Sequence, residues 1–128
     1  VRGHSKTPRA VEGEARTIGN AIGQSYGMLN SRAVSAFMSQ VRNSTNKYNI
    51  LHCCQIHDAS YYMIPDDLEV LMYVNEHIVK ESYWQDDPAI SHPNVCLGGN
   101  LSVFHPSWAK ETELPNSATE DEIINLFN

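Results

Sequence analysis

The pattern of apolar and polar positions predicts two main helices around a β-hairpin. A proline-free stretch from about Ala10 to Val41 repeats apolar residues at helical spacing. Two β-prone runs follow, Ile50 to Ile56 and Tyr61 to Ile64, close enough in sequence to form a hairpin. A second helix is expected from Leu68 to Ser82, with Asp66 as its N-cap. The fold class that follows is α+β, a small antiparallel sheet packed against two or more helices.

The rest of the chain divides around this unit. We expect residues 1–9 to be a connection from an upstream segment, residues 10–110 to form the domain, and residues 111–128 to be an acidic tail. Asn94 to Phe104 predicts a strand with a bend at its Gly-Gly pair. The tail predicts a short helix around the apolar residues Ile123, Ile124, Leu126 and Phe127.

The first predicted helix has two chemically different sides. The polar side carries Arg16, Asn20 and Gln24 at i, i+4 and i+8, so these side chains form one stripe. An arginine followed by two amides suits contacts with phosphate, sugar and minor-groove acceptors of nucleic acid, although an ordinary solvated surface is the alternative. The other side is apolar and is expected to pack on the domain through Ile18, Ile22, Leu29, Ala33 and Ala36.

The charge distribution permits nucleic-acid binding by the N-terminal part, despite a net charge of −6. Residues 1–48 carry seven Lys and Arg against two acids, 7 − 2 = +5. Residues 49–128 carry two bases against thirteen acids, 2 − 13 = −11. Such asymmetry is typical of a phosphate-facing half joined to an acidic half, but it also occurs on uneven solvated surfaces.

The predicted hairpin has His57 and Asp58 at its tip. A carboxylate held between two strands is positioned as a ligand for a divalent cation. Asp is also common in tight turns for purely local reasons, so a structural role is the alternative. A third interpretation, a zinc hydrolase using His52, His57 and Asp58, is weaker, because His52 and His57 point to opposite faces of an unbroken strand.

Three segments together resemble the C-terminal part of the palm subdomain of family A DNA polymerases, the group of bacterial polymerase I and many phage replicases. The segment from Arg16 to Gln24 is similar to the family's Arg-x-x-x-Asn-x-x-x-Gln helix. Gln55-Ile56-His57-Asp58 is similar to motif C, usually Gln-Val-His-Asp-Glu, and Pro106-Ser107-Trp108-Ala109 to the terminal Pro-Asn-Trp-Ala. The segments occur in the family's order and extend over residues 12–109.

The resemblance implies a role for each matching residue in a DNA-directed DNA polymerase. Asp58 is expected to bind catalytic Mg²⁺, with His57 near the primer terminus. Arg16, Asn20 and Gln24 are expected to lie along primer-template DNA. Carboxylates that hold Mg²⁺ are what two-metal phosphoryl transfer requires.

Two departures from the family limit what the chain is expected to do alone. Ala59 stands where motif C continues with Glu. The resemblance also implies a second metal-binding Asp and a fingers helix for the incoming dNTP, both from segments upstream of residue 1. We therefore expect catalysis only with the remainder of the polymerase chain or a complementary subunit. The alternative is a non-catalytic nucleic-acid-binding or interaction module with a degenerate palm.

Two expectations concern partners and location. The tail, with its apolar residues from Ile123 to Phe127, is expected to pack on its own domain or, as the alternative, to serve as a docking peptide for a partner such as a processivity factor. The sequence holds no apolar run of the roughly 18 to 20 residues that cross a bilayer, and no apolar signal segment. We expect a protein without membrane contact in the cytoplasm, that of the host cell if the gene belongs to a phage.

Overall fold

The computed structural model describes residues 8–83, 85, 87–88 and 91–128, and in them it shows an α+β fold. Three helices accompany two antiparallel sheets of two strands each in this part of the chain. The predicted fold class is confirmed. In chain order the elements are α1 Pro8–Arg42, β1 Leu51–Ile56, β2 Ala59–Met63, α2 Leu68–Ser82, β3 Leu101–Phe104, β4 Glu111–Leu114 and α3 Glu120–Phe127.

Helix α1 extends slightly beyond the predicted bounds. It begins at Pro8 and ends at Arg42. Proline suits a first helical turn, because its missing N–H would have no partner there. Pro8 and Arg9 therefore belong to the helix, and residues 1–7 of the predicted N-terminal connection lie outside the described residues.

Only the C-terminal half of α1 packs against other described elements. Ile18 and Ile22, which were expected on the packed side, are 37% and 49% exposed, so that prediction is wrong for them. The physical reason is that α2 and the hairpin contact the later turns of α1, and no described element covers the earlier ones. The buried positions of α1 are Ala33, Val34, Phe37 and Val41.

The predicted hairpin is confirmed, with slightly different strand ends. β1 and β2 pair antiparallel, from Leu51 opposite Met63 to Ile56 opposite Ala59, around a two-residue turn at His57 and Asp58. The register shifts between His52 and Cys54, which places an irregularity near the base of β1.

Helix α2 has the predicted bounds but a different N-cap. Asp67 caps it, not Asp66, because Asp67 is extended and its Oδ1 accepts the backbone N–H of Glu69 at 2.9 Å and of Val70 at 3.3 Å. Its buried Val70 and Val74 face the hairpin and α1.

The C-terminal region folds onto the domain. The predicted strand from Asn94 is confined to β3, Leu101–Phe104, which pairs with β4, a strand that the sequence pattern did not indicate. The predicted tail helix is confirmed as α3. Thr119 caps it, with its hydroxyl accepting the N–H of Glu122 and the Glu122 carboxylate accepting the N–H of Thr119.

Two apolar clusters hold these elements together. The first joins α1, α2 and the residue before β1; its buried members are Phe37, Val41, Ile50, Val70 and Val74. The second is built from Leu114, Ala118 and Ile123, and Leu101 packs against both clusters. An ion pair of 2.8 Å between Arg32 and Glu81 adds a polar link between α1 and α2.

Among the described residues, none of the helices is both long and apolar enough to cross a membrane.

Substitution of Phe37 tests the central packing. Phe37 is fully buried at the junction of α1, the hairpin and α2, so Phe37→Ala is expected to lower the free energy of unfolding by about 3–5 kcal/mol. Urea denaturation measures this change. Ile18→Ala, in the uncovered half of the same helix, is the matched control and is expected to change stability by less than about 0.5 kcal/mol. Equal losses for the two variants would contradict this assignment of the core.

Candidate functional site

The turn between β1 and β2 fixes His57 and Asp58 at an exposed tip. His57 has a φ of 57°, a left-handed conformation that is uncommon for a residue other than glycine. Asp58 is exposed, and its carboxylate makes no hydrogen bond or ion pair with another described residue. The strand pairing on both sides restricts the turn, so the backbone position of Asp58 is fixed while its carboxylate stays exposed.

The hairpin is fixed on α1 by one hydrogen bond and one aromatic contact. The Ser60 hydroxyl donates to Asn30 Oδ1 at 3.2 Å. Farther along β2, Tyr62 packs edge-on against Phe37, with ring centroids 5.5 Å apart. Because Ser60 is two residues from the turn, the first contact sets where the hairpin tip lies relative to the helix.

Between the tip and α1 lies an open groove of about 610 Å³. It brings together Gln24 and His57, two of the predicted site residues, which are 33 positions apart in sequence, 57 − 24. Gln55 also lines it; it belongs to the motif but had no predicted role. Residues two apart in a strand point to the same side, so the position of Gln55 beside His57 could have been predicted from the sequence. The complete lining is Gln24, Gly27, Met28, Ser31, Gln55 and His57.

Arg16 and Asn20 do not line the groove, but continue from it along the exposed helix. Asn20 lies one helical turn before Gln24, and Arg16 lies two turns before it, about 12 Å along the axis. Arg16 Nη2 contacts Glu12 Oε1 at 2.6 Å, and both side chains are mostly exposed. Exposed pairs of this kind contribute little to stability, so the guanidinium can exchange Glu12 for a phosphate at small cost.

The described residues do not form a complete cation site. No group of three or more His, Cys, Asp or Glu side chains in this part of the chain is placed to hold a metal ion. Mg²⁺ is commonly held by one or two carboxylates together with substrate phosphates and water. Asp58 alone could fill one position of such a site, and the described residues do not provide a complete set of ligands.

The zinc interpretation gains no support from the positions of its residues. His52 is half-buried beside Tyr62, with ring centroids 5.1 Å apart, and its Nε2 has no hydrogen-bond partner among the described residues. His57 and Asp58 are exposed at the other end of β1. The fold thus separates His52 from the tip.

Comparisons of the chain with protein-family models, with curated protein sequences and with solved structures find no match.

Ionisation of Tyr62 is expected to loosen the hairpin at high pH. Burial raises the pKa of Tyr62 to about 12, and its hydroxyl has no hydrogen-bond partner among the described residues. The neutral phenol is therefore the form that packs. The packed neutral phenol contributes fully to the free energy of unfolding below about pH 10, which is the pKa of tyrosine in the unfolded chain. This contribution is lost as the pH rises from about 10 to 12.

Tyr62→Phe removes this pH dependence. We expect the variant to retain on the order of 1 kcal/mol more stability at pH 12, after allowance for the partial exposure of the ring, and to be at least as stable at pH 7. Urea denaturation across this pH range measures both values. Tyr48→Phe, at a position 82% exposed, is the control and should leave the profile unchanged. An unchanged profile for Tyr62→Phe would contradict the assignment.

Proposed function

We propose that the chain is part of a DNA-directed DNA polymerase, in which it supplies a metal-binding carboxylate and contacts to primer-template DNA. The observation that carries the proposal is the groove beside the hairpin tip. Gln24 from α1 lines it together with Gln55 and His57 from the hairpin, next to the exposed Asp58. Two motifs that resemble family A polymerases are thus adjacent in the fold, although they are distant in sequence.

The polar stripe of α1 is proposed to follow the DNA duplex. Gln24 and Asn20 offer amide N–H groups that can donate to minor-groove acceptors, which all four base pairs present. Arg16 lies farthest from the groove and suits a phosphate contact. His57, at the groove, is assigned to the primer terminus. These contacts position DNA without selecting its sequence, as a replicative enzyme requires.

Asp58 is proposed to hold Mg²⁺ at the primer 3′ end. When bound, Mg²⁺ lowers the pKa of the attacking hydroxyl and neutralises charge on the phosphates. The chain's own contribution is to fix one carboxylate by the turn at His57. The second carboxylate and the groups that bind dNTP must come from the remainder of the polymerase chain or a complementary subunit. The two-stranded sheet β1–β2 has outer edges on which such a segment can add a strand.

The alternative function is a non-catalytic nucleic-acid-binding or interaction module with a degenerate palm. Ala59 favours it, because it replaces the acid that follows Asp58 in the family motif. Under this alternative the groove and the polar stripe still bind DNA, but the carboxylate is dispensable. The location proposed in both cases is the cytoplasm, in the host cell for a phage protein.

A processivity factor is proposed as a further partner of the C-terminal helix. Ile123 of α3 is buried in the second apolar cluster, so the helix also supports the domain. The residues left for a partner are those exposed on its outer surface, Ile124, Leu126 and Phe127. A test of docking must therefore alter these three and not delete the tail, since deletion from Leu114 would remove core residues.

The catalytic proposal predicts that Asp58 is essential in the assembled enzyme. Primer extension with Mg²⁺ is measured for the chain mixed with the complementary palm and fingers segments from the same source. Asp58→Ala is expected to lower the rate by at least about a thousandfold, because removal of a metal ligand forfeits several kcal/mol of transition-state stabilisation. Asp66→Ala, at an exposed carboxylate that caps no helix, is the control and should retain full activity.

Full activity of a mixture that contains the Asp58→Ala chain would contradict the catalytic role of Asp58. An inactive wild-type mixture in which the chain still binds duplex DNA would favour the non-catalytic module instead.

The DNA contacts predict two distinguishable losses of affinity. Arg16→Ala is expected to weaken duplex binding at all sequences and to reduce the slope of log K against log [salt] by about one, because it removes one phosphate contact. Gln24→Ala is expected to weaken binding with no change in this slope, because an amide releases no counterion. Fluorescence anisotropy at several salt concentrations measures both. A slope unchanged by Arg16→Ala would contradict a phosphate contact.

A further inference from the structure

A pair of adjacent cysteines, Cys53 and Cys54, lies in β1 outside the groove. Both residues are exposed and neither is in a disulfide, so small reagents in solution can reach both thiols. In a regular strand, however, neighbouring residues point to opposite faces, which holds two adjacent sulfur atoms apart. Whether the two thiols can meet therefore depends on the local path of β1.

The two faces of the hairpin are identified by two neighbouring tyrosines of β2. Tyr62 packs edge-on against Phe37, so it points toward α1. Tyr61 points to the opposite, outer face, where its ring stacks on that of Trp108 with centroids 5.0 Å apart.

Strand β1 changes face between His52 and Cys54. His52 lies opposite Tyr62, and Cys54 lies opposite Tyr61. Opposite residues of an antiparallel pair point to the same face, so His52 faces α1 and Cys54 faces outward. In a regular strand two residues at this spacing would share a face. Cys53 is therefore the extra residue of a β-bulge, and the alternation that would separate the two sulfur atoms is interrupted there.

The surroundings of Cys53 leave its sulfur atom free to turn. Its only printed-geometry contact in the described strands is weak: the thiol donates to the backbone oxygen of Leu51, with 3.6 Å between sulfur and oxygen. Because the residue is exposed, rotation of its side chain toward Cys54 breaks this weak contact and removes nothing from the core.

We propose that Cys53 and Cys54 form a site of reversible oxidation by hydroperoxides. The thiolate of one cysteine attacks a peroxide oxygen, the O–O bond breaks, and a sulfenic acid and hydroxide form. The neighbouring thiol then attacks the sulfenic sulfur, the S–O bond breaks, and the oxygen leaves as water with the proton of that thiol. The two sulfur atoms together lose two electrons, the peroxide gains them, and a disulfide joins the two residues.

The position of the pair also makes the disulfide easy to reduce. Cα atoms of neighbouring residues are about 3.8 Å apart, whereas disulfides usually join Cα atoms about 4.4–6.8 Å apart. A bridge between neighbours is therefore strained, and strained disulfides are readily reduced by other thiols. The site is independent of the function proposed for Asp58.

The test is oxidation of the full reduced chain with a small excess of hydrogen peroxide, followed by alkylation of the remaining thiols and mass spectrometry. The number of alkylated thiols is expected to fall from three to one, 3 − 2 = 1, and to return to three after dithiothreitol. The tryptic peptide 48–80, which contains Cys53 and Cys54 but not Cys96, should lose two hydrogen atoms.

Three single variants assign the bridge to this pair. Cys96→Ser removes the third, distant thiol and should form the bridge like the wild type. Cys53→Ser and Cys54→Ser should each form no bridge within peptide 48–80.

A double variant tests the role of the bulge. Cys53→Ser combined with Gln55→Cys moves the adjacent pair to positions 54 and 55, which lie opposite Tyr61 and Ser60 in regular register. These two side chains point to opposite faces, so the bridge is expected to form at least about tenfold more slowly than in the wild type.

Five outcomes overturn the inference. They are three alkylated thiols after peroxide treatment, a bridge to Cys96, a disulfide-linked dimer, and loss of thiols that dithiothreitol does not restore. The fifth is equal rates of bridge formation in the double variant and the wild type.

Discussion

The candidate site depends on the packing of one hairpin against one helix. Phe37 fills the space between the C-terminal half of α1, the hairpin and α2, and Tyr62 packs edge-on against it. The Ser60–Asn30 hydrogen bond then sets the height of the hairpin along the helix. If this packing were lost, the turn at Asp58 would no longer lie beside Gln24, and the groove would not form. An apolar contact thus determines where the candidate site lies.

The two halves of α1 differ in their surroundings. Its later turns form part of the core, and its earlier turns have no neighbour among the described residues. An isolated helix that contains several glycines is only marginally stable in water, so the earlier turns contribute little to the stability of the domain. Arg16 and Asn20, which we propose as DNA contacts, lie on these earlier, exposed turns.

Local sequence signals predicted most of the elements, because the relevant interactions are close in sequence. The bounds of α2 follow from its apolar spacing and from Pro65 before it. The hairpin follows from two β-prone runs around a short turn. The choice of Asp67 over Asp66 as N-cap depends on a backbone angle, to which side-chain type gives little guidance. Strand β4 was missed because Glu111–Leu114 has little apolar character, and it is a strand only through pairing with β3.

Long-range packing explains the errors and the gaps at the site. The sequence pattern assigned Ile18 and Ile22 to a buried side of α1, since periodicity shows which residues share a side but not what covers it. The helical spacing groups Arg16, Asn20 and Gln24 as a stripe, but only the fold shows that Gln24 lines a groove together with hairpin residues. Gln55 likewise belongs to the candidate site because the fold places it in the groove. Among the described residues, no group of three or more His, Cys, Asp or Glu side chains is placed to hold a metal ion.

The most direct measurement is a crystal structure of the chain with the complementary polymerase segment, primer-template DNA, a dNTP and Mg²⁺, using a primer that lacks its 3′ hydroxyl. We expect a magnesium ion about 2.1 Å from a carboxylate oxygen of Asp58, with the primer end in the groove between His57 and Gln24. A magnesium ion bound without Asp58, with the hairpin tip in solvent away from the primer, would contradict it.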